Sequence, residues 1–297
     1  MVAHTTPDGW RLLAEGAGFV EGPVWADGAI SFVSVNRGLV YRAELDGSGS
    51  RVLAETGGGP NGATADAGGR VWLVQNGGRV MESRSTTAAA PGVQVIEPDG
   101  TLRTQLADGE LNAPNDCVFG PDGRLWFTDP YGRLMPDPAG DPERAGAYGR
   151  VWAYEPATGA LELIAEKQPH PNGLCFTADG SQLLVSDTRT LSIQAFEVDA
   201  AGPRTGRTIG TLPEGMPDGM AFDAAGYLWV AATKAEGLAV LSPDGAWELV
   251  PLGDSFPTNV CFAGEQLDTI VVTAARGGRV LAAPAREAGL PLDARAA

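Results

Sequence analysis

"NDCVFGPDGRLWFTD", residues 115–129, places an amide and an acid, Asn115 and Asp116, directly ahead of two apolar runs separated by a Pro-Asp-Gly turn. Short Val-, Phe- and Trp-rich runs around such a turn are the signature of a β-hairpin. Hydrogen-bonding side chains at the head of a buried strand are less expected, and they recur. The same pattern is found in "EGPVWADGAISFVS" from Glu21, "NGATADAGGRVWLVQ" from Asn61, "NGLCFTADGSQLLVSD" from Asn172, "DGMAFDAAGYLWVAA" from Asp218 and "TNVCFAGEQLDTIVVT" from Thr258. Four positions after each leading residue stands a core position, filled by Trp25, Ala65, Phe119, Phe176, Phe222 or Phe262.

The leaders are 40, 54, 57, 46 and 40 positions apart, a spacing that belongs to propellers, solenoids and arrays. After its hairpin, each copy continues with a connection, a third strand such as "RVWAYE" and, past another turn, a fourth such as "LELIAE". Four antiparallel strands make a propeller blade. The sixth copy stops at its third strand, "GGRVLAAP", while the N-terminus offers an unclaimed "TPDGWRLLAEG" that matches a turn and fourth strand. The expectation is therefore an all-β, six-bladed β-propeller, closed by the N-terminal strand so that no sheet edge is left open. One domain would fill residues 1–297, with a core over about 10–283 and a tail over about 284–297 outside the ring.

The 297 residues are 43% hydrophobic and 20% charged, enough for a large core. A formal net charge of −16 argues against nucleic acid as a partner and makes a cation the natural one. No apolar stretch approaches a membrane span and "MVAHTTPDGW" lacks the features of a leader, so no membrane partner and a cytoplasmic location are expected, as a monomer or weak homo-oligomer. Cys117, Cys175 and Cys261 each open an apolar run and read as buried, unpaired thiols. With two His and no Cys-x-x-Cys or phosphate loop, the Cys/His zinc, redox and nucleotide signatures do not appear.

In a radial blade the first strand lines the central channel, so the six leaders meet at one mouth. The long segments 76–92 and 130–149 join second to third strands and overhang that same mouth. Every leader carries a side-chain oxygen. Glu21 and Asp218 supply two negative charges, and Asn115 and Asn172 supply neutral carbonyl dipoles, a set that balances one divalent cation. Calcium takes roughly six to eight oxygens, so such a site keeps places open for water or substrate. The competing reading is that Pro-Asn-Gly and Pro-Asp-Gly are plain turn formers; Glu21 would then be a poor choice.

The motifs "EGPVW", "PNDCVFGPDGRLWFTDPYG", "PNGLCFTADG" and "PDGMAFDAAGYLWVA" together resemble the regucalcin/gluconolactonase family over about residues 10–283. The resemblance implies a six-bladed lactonase with Glu21, Asn172 and Asp218 as metal ligands, Asn115 as a fourth ligand or a substrate contact, and Asp218 as general base. The ion would be calcium first, with Mg²⁺, Mn²⁺ or Zn²⁺ as other candidates. It would polarise the carbonyl of a small-molecule lactone while Asp218 activates water. Asn61, Asn115, Asp116, Asp129, Tyr131 and His170 are the substrate-side candidates, with Met135 in the same overhanging loop. Animal regucalcins carry an Arg where this chain has Ala113, and bacterial relatives often carry an acid and a His where it has Gln75 and Asn76. The lactone therefore stays open. A calcium-dependent phosphotriesterase-like hydrolase and a non-catalytic calcium- or ligand-binding propeller are the alternative readings.

Overall fold

The computed structural model describes residues 6–132, 148–199, 202 and 204–292. They form six four-stranded antiparallel sheets, each built from strands consecutive in sequence except the last. The innermost strands are Val20–Ala26, Pro60–Ala65, Cys117–Phe119, Pro171–Phe176, Pro217–Phe222 and Pro257–Ala263. Five of them start one residue before a predicted leader, and Cys117–Phe119 starts two residues after Asn115. In the sixth sheet, Pro257–Ala263, Thr269–Ala274 and Arg279–Pro284 are completed by Arg11–Ala14, with Arg11 opposite Ala282 and Leu12 opposite Leu281. The orphan N-terminal strand thus closes the ring as its sequence pattern predicts. Thr258 strengthens the joint, its Oγ1 donating to the Val20 carbonyl at 2.8 Å.

The repeat folds this way because one apolar motif packs against the next copy of itself. The second-strand Trp of one blade meets the first-strand Phe of the following blade edge to face: Trp72 with Phe119, Trp126 with Phe176 and Trp229 with Phe262, at centroid distances of 5.6, 5.4 and 6.4 Å. The indole N–H needs an acceptor when buried. The turn acid supplies it, Asp66 to Trp72 at 2.7 Å and Asp223 to Trp229 at 2.9 Å, while its other oxygen accepts backbone N–H groups of its own turn. A single Asp therefore shapes the hairpin and orients the inter-blade aromatic ring.

Beyond the sixth blade the chain crosses the face opposite the leaders. The Ala224 N–H donates to Ala288 O, the Gly289 N–H to Leu267 O and the Leu290 N–H to Phe222 O, all at 2.8–2.9 Å. Gly289 sits so close to Phe262 that a Cβ there would lie 2.2 Å from the Phe262 Cβ. This segment borders a largely apolar cavity of about 660 Å³ at that end of the channel, whose lining includes Trp25, Phe119, Phe176, Phe222 and Leu290. Among the described residues no helix is long and apolar enough to cross a membrane.

Trp126 is fully buried between the third and fourth blades. Trp126→Ala is expected to lower the unfolding free energy by about 3–5 kcal/mol, measured by urea denaturation.

Candidate functional site

Five of the six leaders, all but Thr258, line the channel mouth, and a recurring backbone irregularity marks the strand heads. In five blades the pairing of the first and second strands slips at the leader, between Glu21 and Val24, Pro60 and Ala63, Pro171 and Leu174, Pro217 and Met220, and Pro257 and Asn259. A bulge of this kind adds a residue to one strand and re-aims its side chain. In the third blade the regular strand starts only at Cys117. There the Asn115 N–H donates to Thr128 O at 2.8 Å and the Asp116 N–H to Thr128 Oγ1 at 3.1 Å.

A cavity of about 490 Å³ opens at this mouth, and Glu21, Asn61, Asn115, His170, Asn172 and Asp218 all line it. Six of the residues singled out from sequence are thus brought together. Val80 and Met81, from the 76–92 segment, overhang the cavity with Phe19, Val35 and Phe256. That segment is tied down by Arg79, whose Nη1 donates to the Leu111 and Asn112 carbonyls at 2.6 and 2.8 Å. Of the 130–149 segment, Gly132 lines the cavity; residues 133–147, Met135 among them, lie outside the described residues.

Directly below the leaders lies a second ring, one residue further along each strand: Gly22, Gly62, Asp116, Gly173, Gly219 and Asn259. The four glycines let neighbouring strands approach, and the two side chains fill the space. A Cβ on Gly219 would lie 1.9 Å from the Asn259 side chain, and one on Gly62 would lie 2.2 Å from Asp116 Oδ1. Asn259 Nδ2 donates to both Glu21 Oε2 and Asp116 Oδ2, each at 3.1 Å, while its Oδ1 accepts the Val260 N–H at 2.8 Å. Asp116 and Asn259 border the apolar cavity on the far side and not the mouth. They form a polar septum that divides the channel.

The electrostatics of this arrangement are unfavourable for three carboxylates. Burial pushes Glu21 up to about 7, although the Gly22 N–H and the Asn259 amide favour its charged form. Asp116 is driven well above the usual carboxylate range by burial and by the Glu21 charge. Asp218 is driven well above it by burial, Glu21 and Asp116, with Asn172 and the Gly219 N–H acting against them. His170 is lowered to about 4 by burial, the neighbouring Asp187 opposing and Arg189 reinforcing the shift; it is neutral at pH 7.

Among the described residues no group of three or more His, Cys, Asp and Glu is placed to hold a metal ion. A cation at the mouth would depend on amides as well as acids. The groups available to it are the Glu21 and Asp218 carboxylates and the Asn115 and Asn172 amide oxygens. Asn172 commits its Nδ2 to Thr188 Oγ1 at 3.0 Å, and that hydroxyl donates in turn to Pro217 O at 2.8 Å. The amide is thereby oriented with its Oδ1 uncommitted, which is how ligands are positioned by the groups behind them.

Three substrate-side candidates stand apart from the mouth cavity: Asp116, which sits in the septum, and Asp129 and Tyr131. Asp129 is fully buried and accepts the Asn112 and Ala113 N–H groups at 3.0 and 2.7 Å and the Trp152 indole at 3.2 Å, so it anchors the segment that presents Asn115. Tyr131 is exposed at the base of its loop and does not line the cavity. Three residues in or near the mouth escaped sequence reasoning. Asn259 was hidden behind Thr258, although the exchange of Gly for Asp116 and Asn259 after the leader is a readable signal. Arg189 and Lys234 line the cavity from the short second-to-third-strand connections of the fourth and fifth blades, where no length marked them out.

Residues 19–276 match the family described as the SMP-30/Gluconolactonase/LRE-like region. The chain is 26% identical over 295 residues to a gluconolactonase of Zymomonas mobilis, covering 89% of this chain and 78% of that protein. It is 30% identical over 214 residues to a 6-deoxy-6-sulfogluconolactonase of Pseudomonas putida, covering 70% and 68%. Among solved structures, a gluconolactonase of Xanthomonas campestris superposes with a TM-score of 0.75 at 25% identity, over 93% of this chain and 88% of that one.

Gly219→Ala tests the close packing beneath the leaders. Its methyl group would collide with Asn259, so a loss of about 1–3 kcal/mol in unfolding free energy is expected, whereas Gly109→Ala, in an exposed turn without a positive φ and with no atom within 4 Å of the added carbon, should cost less.

Proposed function

Because the chain belongs to the SMP-30/gluconolactonase/LRE-like family, whose relatives above are lactonases, we propose that it is a divalent-cation-dependent hydrolase that opens the ring of a small lactone. The observation carrying this reading is the convergence of Glu21, Asn115, Asn172 and Asp218 on one open cavity. The donor chemistry fits a hard cation. Two carboxylates held together in a channel repel one another, and among the described residues none of the channel acids has a Lys or Arg ion-pair partner. A divalent charge would restore the ionised form that burial disfavours. Glu21, Asn172 and Asp218, with Asn115, would hold it, and it would supply Lewis-acid polarisation of a carbonyl oxygen.

The chain's own groups account for the remaining chemistry. Asp218 faces the cavity and, once ionised, is the carboxylate placed to take a proton from the attacking water. Its main chain is held from behind by Ser186, whose Oγ donates to the Asp218 backbone carbonyl at 2.8 Å. Asn61 makes no side-chain hydrogen bond among the described residues and offers an amide to the substrate; Asn115 is placed to bridge ligand and substrate. His170, neutral at pH 7, is a hydrogen-bonding group of the wall rather than a cation. The apolar overhang of Phe19, Val80, Met81 and Phe256 shields the reacting centre from bulk water.

Two outcomes are expected. Chelated protein should lose lactone hydrolysis in a pH-indicator assay and recover it with added Ca²⁺, and Asp218→Asn should lower kcat by about 10²–10⁴-fold. In calorimetric melting, Glu21→Gln should raise the stability of cation-free protein by ~1–3 kcal/mol, since it removes a buried charge, and should abolish the stabilisation that Ca²⁺ gives the parent chain. Hydrolysis that survives both chelation and Asp218→Asn contradicts the reading.

A further inference from the structure

Among the described residues Arg189 and Lys234 are the cationic side chains lining the mouth cavity, in a protein whose formal net charge is −16. They stand on neighbouring blades. Arg189 follows the strand Gln182–Asp187, and Lys234 lies in the single-turn 3-10 helix Thr233–Ala235 that follows Leu228–Ala232. Among the described residues neither forms an ion pair, whereas Arg42, Arg70, Arg124, Arg276 and Arg286 each hold a carboxylate. Arg189 Nε is buried with no hydrogen-bond acceptor. A buried guanidinium N–H left unsatisfied costs stability, and such a group is retained at a site where a ligand can supply the missing acceptor.

We propose, building on the lactonase reading, that Arg189 and Lys234 form an anion-recognising wall, and that the substrate is a lactone carrying an anionic substituent away from the ring carbonyl. The two acids of the cavity's described lining, Glu21 and Asp218, stand at the heads of innermost strands with the proposed cation ligands, whereas Arg189 and Lys234 stand on connections that follow second strands. A carboxylate, sulfonate or phosphate on the substrate would be repelled there. Along the wall it meets a guanidinium and an ammonium, with Leu191 and Met216 beside them for the carbon frame. Charge therefore orients the lactone, its anionic arm toward the second-to-third-strand connections of the fourth and fifth blades and its carbonyl toward the innermost-strand heads. Arg189 gives direction through its planar fork of donors, and Lys234, exposed at the rim, adds a point charge that draws the anion in.

The test compares cation-loaded protein on a neutral lactone, δ-gluconolactone, and on a carboxylate-bearing one, glucarolactone. The parent chain should favour the carboxylate-bearing lactone in kcat/KM. That preference should fall by about tenfold or more in Arg189→Gln and in Lys234→Gln, mainly through KM, because a charge-assisted hydrogen bond is lost; Arg189→Lys should keep part of it. Calorimetric binding of the same two compounds frees the test from turnover. If neither is hydrolysed but the carboxylate-bearing one binds more tightly in an Arg189-dependent way, the lactonase reading fails and the anionic wall stands. Hydrolysis of both with a preference that neither Arg189→Gln nor Lys234→Gln alters overturns the wall and leaves the lactonase reading in place.

Discussion

Burial of three carboxylates in one narrow channel is the constraint on which the site depends. Glu21, Asp116 and Asp218 come from three different blades, yet ring closure buries them together, and burial, reinforced at Asp116 and Asp218 by the neighbouring negative charge, shifts each toward its neutral form. The protein relieves one of these contacts itself. Asn259 spans Glu21 and Asp116 with a single amide group. Nothing comparable spans Glu21 and Asp218 at the mouth, where amide oxygens from Asn115 and Asn172 gather. An internal hydrogen-bond bridge suits a septum, whereas an unbridged acid pair with neutral oxygens beside it suits an exchangeable cation.

The same backbone device sets both layers. A bulge at the head of the innermost strand turns the leader into the mouth and leaves the following residue facing the crowded axis of the ring. Glycine at Gly22, Gly62, Gly173 and Gly219 is a steric requirement there, because an added carbon would lie within 1.9–2.6 Å of a neighbouring strand or side chain. Only two blades carry a side chain at that level, and both of those side chains are polar. The channel is consequently divided, with a polar mouth at one end and an aromatic-lined cavity, bordered by the segment near Leu290, at the other.

The architecture was legible in the sequence because its period is long and its signal redundant. Leader and core position recur in register, and in three blades a turn Asp orients a Trp that packs on the next blade. The unmatched strand "TPDGWRLLAEG" predicted closure for the same reason. What escaped detection was local. Reading Thr258 as the sixth leader was sound, since its hydroxyl does hold the seam between the last and first blades, but the channel-facing group is its neighbour Asn259. Asp129 reads like a site acid because it ends a strand beside the mouth; its oxygens are instead committed to two backbone N–H groups and an indole. Ala113, standing where animal regucalcins carry Arg, is fully buried with its N–H tied to Asp129. Positive charge enters from Arg189 and Lys234 instead, and only the three-dimensional placement of two short connections reveals it.

The central claim, that four oxygen-bearing leaders gather one divalent cation at the channel mouth, is tested most directly by anomalous diffraction from crystals of this protein equilibrated with Mn²⁺ as a calcium surrogate. The account predicts one strong anomalous peak per chain, within ligand distance of Glu21, Asn115, Asn172 and Asp218, that disappears in Glu21→Gln crystals. A peak elsewhere in the ring, or none at the mouth under saturating Mn²⁺, would contradict it.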